Sequence, residues 1–372
     1  MIRSVKAAGS ISYLSLSVAR GTFPLKPFLL TVAFALITIG CDRQPITAPE
    51  SVSTPTTTPS APAATVPSDD AEAVAVVEAV TEQIRRGDQG QIIGLDFRET
   101  GVTDDTLVAV GKLSQLQQLD LRDCSISDAG LAHLDNLKQL KALRLSGKSG
   151  ATNVTDDGMK HLAKLPSLKL LSLDSLWVSE VGLEELRGMN SLQELYMAET
   201  TIGDEAIEIM ASMPNLKKLR VAKTQIGAPA IAAMPKLQKL EELDMSECAQ
   251  ISDDAMEPLG KVTTLKKLNL WRVNVSDEGL QPVGELVNLE SLNLDNTRLT
   301  DAGLPTIGGL TRLTFLHLGS TSISNAGLKE LTELTKLQNL IVTRTAVTQE
   351  GVDTLQPSLP DTEIQLVHTD DQ

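Results

Sequence analysis

Apolar residues recur along this chain with a period of 24. The stretch Leu116–Gln139, LQQLDLRDCSISDAGLAHLDNLKQ, gives the pattern as L-x-x-L-x-L-x-x-(T/C)-x-I-(S/T)-D-x-G-L-x-x-L-x-x-L-x-x. Its first position returns at Ile92, Leu116, Leu140, Leu168, Leu192, Leu216, Leu240, Leu265, Leu289, Leu313 and Leu337. The step from Leu140 to Leu168 is 28 residues, with an insertion near Gly147–Thr152, and that from Leu240 to Leu265 is 25. In the L-x-L core, successive side chains point to opposite faces of a strand, so leucines go inward and the intervening residues outward. Units of this length predict a solenoid in which each repeat supplies one parallel strand and one helical return. Eleven repeats span residues 92–367, closed by a last strand over Thr362–Val367 with Ile364 and Leu366 inward.

The constant polar letters have structural work to do. The T/C column (Thr100, Cys124, Thr200, Thr224, Cys248, Thr297, Thr321, Thr345) puts a small group at the strand-to-turn bend, where a hydroxyl can satisfy loop backbone. Ser/Thr-Asp pairs such as Ser127-Asp128, Ser276-Asp277 and Thr300-Asp301 predict helix starts, with the hydroxyl as cap and the acid at the helix N-terminus. The glycine that follows (Gly130, Gly158, Gly182, Gly279, Gly303, Gly327, Gly351) leaves room for adjacent helices to pack closely. Residues 71–91 precede the first repeat and predict a helix through AEAVAVVEAVTEQIRR, capped by Ser68-Asp69-Asp70, with Val74, Val77, Val80 and Ile84 on one face. It would cover the open end of the core, as terminal repeats require.

The repeats resemble the leucine-rich repeat family over about 275 of the 372 residues. The ITDxGL-like segment is most similar to the cysteine-containing subtype, known from F-box substrate adaptors and common in bacterial envelope proteins. The resemblance implies an α/β solenoid: a horseshoe with a concave parallel β-sheet and short convex helices, used for protein recognition. No F-box-like helical segment accompanies the repeats here, so a ubiquitin-ligase role is not carried over.

Residues 1–41 have the features of an export signal. Arg3, Lys6, Arg20 and Lys26 precede the uncharged run Phe28–Gly40, whose 13 residues are too few to span a bilayer, which takes about 20. The run ends Thr38-Ile39-Gly40-Cys41, which resembles a bacterial lipobox and implies acylation of Cys41. The basic region is long and fits a translation start nearer Val18. Residues 42–70 are rich in Pro, Thr, Ser and Ala and predict a disordered tether. The expected location is a bacterial cell-envelope membrane, periplasmic or surface side, with residues 368–372 as a short tail.

Charge bears on partners. Without the four bases of the leader, 29 Lys and Arg face 48 Asp and Glu, so the remainder carries −19. Such a body repels phosphate backbones, which argues against nucleic-acid binding. Cys124 and Cys248 are five repeats and roughly 24 Å apart at ~4.8 Å per strand, too far for a disulfide. They are expected to be buried, inert thiols.

No enzyme constellation is present in the sequence: no Walker loop, HExxH, CxxC pair or GxSxG. His133 and His161, with Glu185, share a helix position in successive repeats, and the Asp column invites a calcium ladder. Surface polarity and helix capping explain both, so neither cofactor nor metal is expected. Function is expected on the outward strand residues. Aromatics make up only 2% of the chain, and Tyr196, Trp271, Phe315 and His317 all fall there, with Arg220 and Arg272 beside them. Trp271, Phe315 and His317 should lie within ~10 Å on the sheet. This composition suits a protein-interface hot spot. The expected activity is non-enzymatic recognition of a protein partner by a monomer; a cell-wall glycan binder using Trp271 and Tyr196, or a structural envelope scaffold, are the alternatives.

Overall fold

A computed structural model describes residues 68–98 and 100–367. The leader, Cys41, most of the tether and the tail therefore lie outside the described residues. Among the described residues, thirteen strands form one sheet in strict chain order. They are β1 (Ile84–Arg86), β2 (Ile92–Asp96), β3 (Gln118–Asp120), β4 (Ala142–Ser146), β5 (Leu170–Asp174), β6 (Glu194–Tyr196) and β7 (Lys218–Arg220). There follow β8 (Glu242–Asp244), β9 (Lys267–Asn269), β10 (Ser291–Asn293), β11 (Phe315–His317), β12 (Asn339–Ile341) and β13 (Glu363–Gln365). From β2 onward every neighbour is parallel and each template position pairs with its counterpart, as in Leu292 with Leu268 and Leu316. Short α- or 3₁₀-helices return the chain across the other side.

The inward letters make one continuous core. Leu116, Leu119 and Leu121 are fully buried, and so are their counterparts Leu289, Leu292 and Leu294. Phe97 takes the third of these positions in the first repeat and, among the described residues, is the one large aromatic in the core. The bend column behaves as its chemistry demands. Thr200, Thr224, Thr297 and Thr321 each donate to the carbonyl three residues back, at 2.6–2.8 Å. Cys124 and Cys248 are buried and free, and each thiol points instead at a carbonyl of the preceding repeat, Phe97 and Val221, at 3.1 Å. Burial pushes the Cys124 thiol up to about 11, which leaves it protonated and unreactive at neutral pH.

The Asp column differs from the capping role expected of it. Each acid reaches forward into the next repeat. Asp277 Oδ1 accepts from the Thr300 backbone N–H at 2.8 Å and its Oδ2 from the Thr300 hydroxyl at 2.6 Å. The same pair of bonds joins Asp104 to Ser127, Asp128 to Thr155, Asp156 to Ser179, Asp253 to Ser276 and Asp301 to Ser324. The helix-facing bond is secondary: it is made by Thr155, Ser179, Thr300 and Ser324 but not by Ser127, Ser252 or Ser276. The conserved spacing to glycine follows from this. A Cβ at Gly303 would stand 2.5 Å from Asp277 Oδ1. Ser/Thr, Asp and Gly are thus parts of one junction between repeats. The junction is reduced at Gly203 and Gly227, where Glu180 and Asp204 hold backbone N–H groups alone and Ala206 and Ala230 replace the glycine. It is absent where Ala228 stands in the acid position; Ser252 then bonds within its own repeat, to Asp254 at 2.5 Å.

The N-terminal cap also differs from expectation. The helix is Ala71–Glu78 only, with Asp70 as its N-cap accepting from Ala73 N–H at 2.8 Å. Beyond it the expected helix gives way to a turn, and its last three residues, Ile84–Arg86, are β1, antiparallel to β2. β2 would otherwise present a row of unpaired backbone groups, and an antiparallel strand covers them. Thr81 anchors the switch: its hydroxyl donates to Asp96 O at 2.8 Å and accepts from Gln83 N–H. Ala73 and Val77 are the buried residues of the helix, while Val74, Val80 and Ile84 are only partly covered.

Candidate functional site

Because strands pair in register, the outward residues form rows across the sheet. One row runs Glu194, Lys218, Glu242, Lys267 on β6 to β9. Its charges alternate and partner one another: Lys218 Nζ lies 3.6 Å from both Glu194 and Glu242, and Lys267 Nζ 3.1 Å from Glu242. In the row beside it, Arg220 bridges Asp174 at 3.1 Å and Asp244 at 3.3 Å. Arg220 Nε is buried, and its approach to Asp244 lacks the alignment of a hydrogen bond. Burial raises the pKa of Asp174, against the opposing effects of the Ala198 N–H and Arg220. Part-exposed pairs of this kind each hold only about 0–1 kcal/mol, so an incoming polar group can compete with them.

Between these rows the sheet forms a hollow of about 340 Å³. Tyr196 lines one end and Phe315 the other, with Lys218, Arg220, Asp244 and Asn269 between them. The Tyr196 hydroxyl donates to Glu194 Oε2 at 2.8 Å. Burial and that bond push the phenol well above its ordinary range, so it remains a neutral donor. Phe315 meets His317 edge to face, with centroids 6.5 Å apart. Burial lowers the pKa of His317, with Asp295 opposing.

The expected residues thus divide. Tyr196, Arg220 and Phe315 line the hollow, and His317 stacks against Phe315. Trp271 and Arg272 do not line it; they stand where the chain leaves β9, with the guanidinium 5.5 Å from the Trp271 ring centroid and 3.0 Å from Glu247. Arg272 is one of nine non-glycine residues at the same repeat position with φ of 51–61°. Near the first repeats, Arg98 and Arg122 are held on Asp96 and Asp120 at 2.7 and 2.6 Å. Two features escaped the sequence reading. Asp174 holds Arg220 from two strands away, beyond the neighbouring-repeat register. Trp177 and Val181 are 71% and 73% exposed at the turn into one convex helix; a tryptophan in a column otherwise filled by residues such as Ser125, Thr201 and Gln225 was the available signal.

Neither metal arrangement forms. His161 Nδ1 instead meets Asp135 Oδ1 at 3.0 Å, and Lys164 shares that carboxylate. Among the described residues no group of three or more His, Cys, Asp or Glu could hold an ion. Both oxygens of the junction acids are occupied by the next repeat.

The family model described as a leucine-rich repeat region matches residues 131–282 and 225–357, and a second, described as a leucine-rich repeat, matches residues 113–134. Among solved structures, an internalin (inlF) from Listeria monocytogenes is 20% identical with a TM-score of 0.53, over 81% of this chain and 90% of that one. A TLR13–ssRNA13 complex is similar at 20% identity and TM-score 0.51, over 73% of this chain and 39% of that one. A leucine-rich repeat protein of Leptospira interrogans is 18% identical with a TM-score of 0.43, over 70% of this chain and 80% of that one. No curated protein matches the chain in sequence. At these identities the structural likeness speaks to fold alone.

Proposed function

Since the chain belongs to the leucine-rich repeat family, whose members typically mediate protein recognition and are generally not enzymes, we propose that it is a non-enzymatic module that binds a protein partner on its concave sheet. The hollow between Tyr196 and Phe315 carries this reading. Two rings and three cations, Lys218, Lys267 and an Arg220 whose buried Nε has no aligned acceptor, form a surface that a loop or extended peptide can fill. An apolar partner side chain would sit between the rings, and partner carbonyls would compete for Arg220 and Lys218. Rings surrounded by polar groups are the usual anchors of such contacts.

The remaining parts of the proposal rest on sequence. Cys41 would anchor the monomer by lipid in a bacterial cell envelope, with residues 42–70 as its tether. Cys41→Ala should move the protein from the membrane to the soluble fraction; an unchanged distribution would count against anchoring. For recognition, the full chain and its Tyr196→Ala/Phe315→Ala variant serve as paired baits in crosslinked envelope extract. The double variant should lose the partner by about tenfold or more, as expected when two hot-spot side chains are truncated. Equal recovery by both baits would refute the assignment.

A further inference from the structure

The −19 of the body is unevenly distributed. The seven residues leading into each strand from β3 to β12, those ending one position past the first leucine, hold thirteen Lys and Arg against five Asp and Glu. The rest of the chain holds twenty against forty-three. Helix ends account for part of this pattern, since acids favour helix N-termini and cations the C-termini from which these segments run. The outcome is an acidic molecule with one basic edge.

That edge has a hollow of about 410 Å³ lined by Lys217, Lys239, Lys266 and Arg312. Glu241 is the one carboxylate in the lining and engages Lys217 at 3.1 Å and Lys266 at 2.8 Å. The other two cations are positioned by neutral groups. Lys239 Nζ donates to Asn215 Oδ1 at 2.6 Å and Arg312 Nη1 to Asn288 Oδ1 at 2.8 Å; Glu290 is 3.8 Å from Arg312. Amide acceptors fix the direction of a cation without cancelling its charge. Along the edge, Lys169, Lys217 and Lys266 stand directly before β5, β7 and β9, with Glu241 and Glu290 in that position before β8 and β10, while Lys239 and Arg312 stand two residues further back on their own repeats.

From this geometry we infer that the strand-start edge binds a linear anionic polysaccharide, whose acidic groups meet Lys217, Lys239, Lys266 and Arg312. Gln238 supplies an amide for sugar hydroxyls, and the Thr264 oxygen, whose hydrogen is donated to Leu240 O at 2.6 Å, can accept from them. The lining has no aromatic ring on which nucleobases could stack, which distinguishes a sugar polymer from single-stranded nucleic acid. A hollow lined by four cations from neighbouring repeats suits a chain lying in it better than a flat bilayer. The acidic remainder keeps such a polymer on this edge.

The test titrates the full chain with labelled dextran sulfate, with neutral dextran, phosphatidylglycerol vesicles and an oligothymidylate as comparisons. Dextran sulfate should bind, more weakly as salt rises, and neutral dextran should not. Lys239→Glu with Arg312→Glu should weaken binding by about tenfold, while the same charge change on convex helices, Lys160→Glu with Lys329→Glu, should alter it by less than about twofold. The inference is overturned if dextran sulfate fails to bind, if both pairs of substitutions weaken it equally, or if vesicles or the oligonucleotide bind as tightly.

Discussion

Asp277 shows how one side chain sets the letters around it. Its two oxygens hold the backbone and hydroxyl of Thr300, and the space it occupies is the space a side chain at residue 303 would need. Asp277→Ala leaves a donor pair without its acceptor and should cost about 1–3 kcal/mol in urea unfolding. Gly303→Ala forces the carboxylate aside and should cost a similar amount, about 1–3 kcal/mol. The two should add only in part, because removing Asp277 removes its share of the clash and leaves Leu299 Cδ1 at 2.6 Å; strict additivity in the double mutant would contradict the junction. His317 offers a second check at this scale. Its folded pKa is lowered by burial, so folding favours the neutral ring. That contribution is complete above the ordinary pKa of about 6.5 and is lost as pH falls through the lower folded value. Stability should therefore decline as pH drops below about 6.5, and His317→Gln should flatten the decline. An unchanged slope would mean that the ring is not shielded as described. The buried leucines and the bend column were legible in the sequence because one side-chain property decides each place. The forward reach of the acids was not, because capping a helix and bridging to the next repeat use the same Ser-Asp pair.

Among the elements, the repeats were easier to infer than their ends. Periodicity fixes the register from β2 to β13, since a slip of one residue would turn every leucine outward. The cap has no period to constrain it. Its valines suit a helix or a strand, and the open edge of β2, absent from any local pattern, selects the strand β1. The left-handed residues after β3 and after β5 to β12 were equally hidden, because Asp, Ser, Glu, Lys, Arg and Asn all occupy that place. Yet their N–H groups extend the ladder, as in Glu247 to Trp271 O at 2.8 Å and Arg272 to Asp295 O at 3.0 Å. At Ala228 the forward acid contact is lost altogether, in an array stabilised by nearest neighbours. Ala228→Asp with Ala255→Gly restores both the acid and its space, and should raise stability by about 1 kcal/mol by supplying the two hydrogen bonds to Ser252. Unfolding at an unchanged or lower urea concentration would show that the junction does not carry the coupling.

Across the whole molecule, constant letters build the solenoid and variable letters differentiate its surfaces. The family resemblance was therefore plain in the sequence, whereas the candidate site emerged only once the strands were aligned. Tyr196 and Phe315 lie five repeats apart and form one hollow because parallel register brings β6 to β11 into a single face. Trp271, the most conspicuous aromatic in the sequence, falls beside Arg272 at a strand end instead. The basic edge was masked by net charge, a sum that discards position. The most direct test of the concave face is site-specific photocrosslinking in the cells that make the protein, with a benzophenone side chain at Tyr196, Phe315 or, on a convex helix, Lys160. Crosslinks to the same partner at Tyr196 and Phe315, but not at Lys160, are the expected result; a partner captured at Lys160 and at neither concave position would contradict the account.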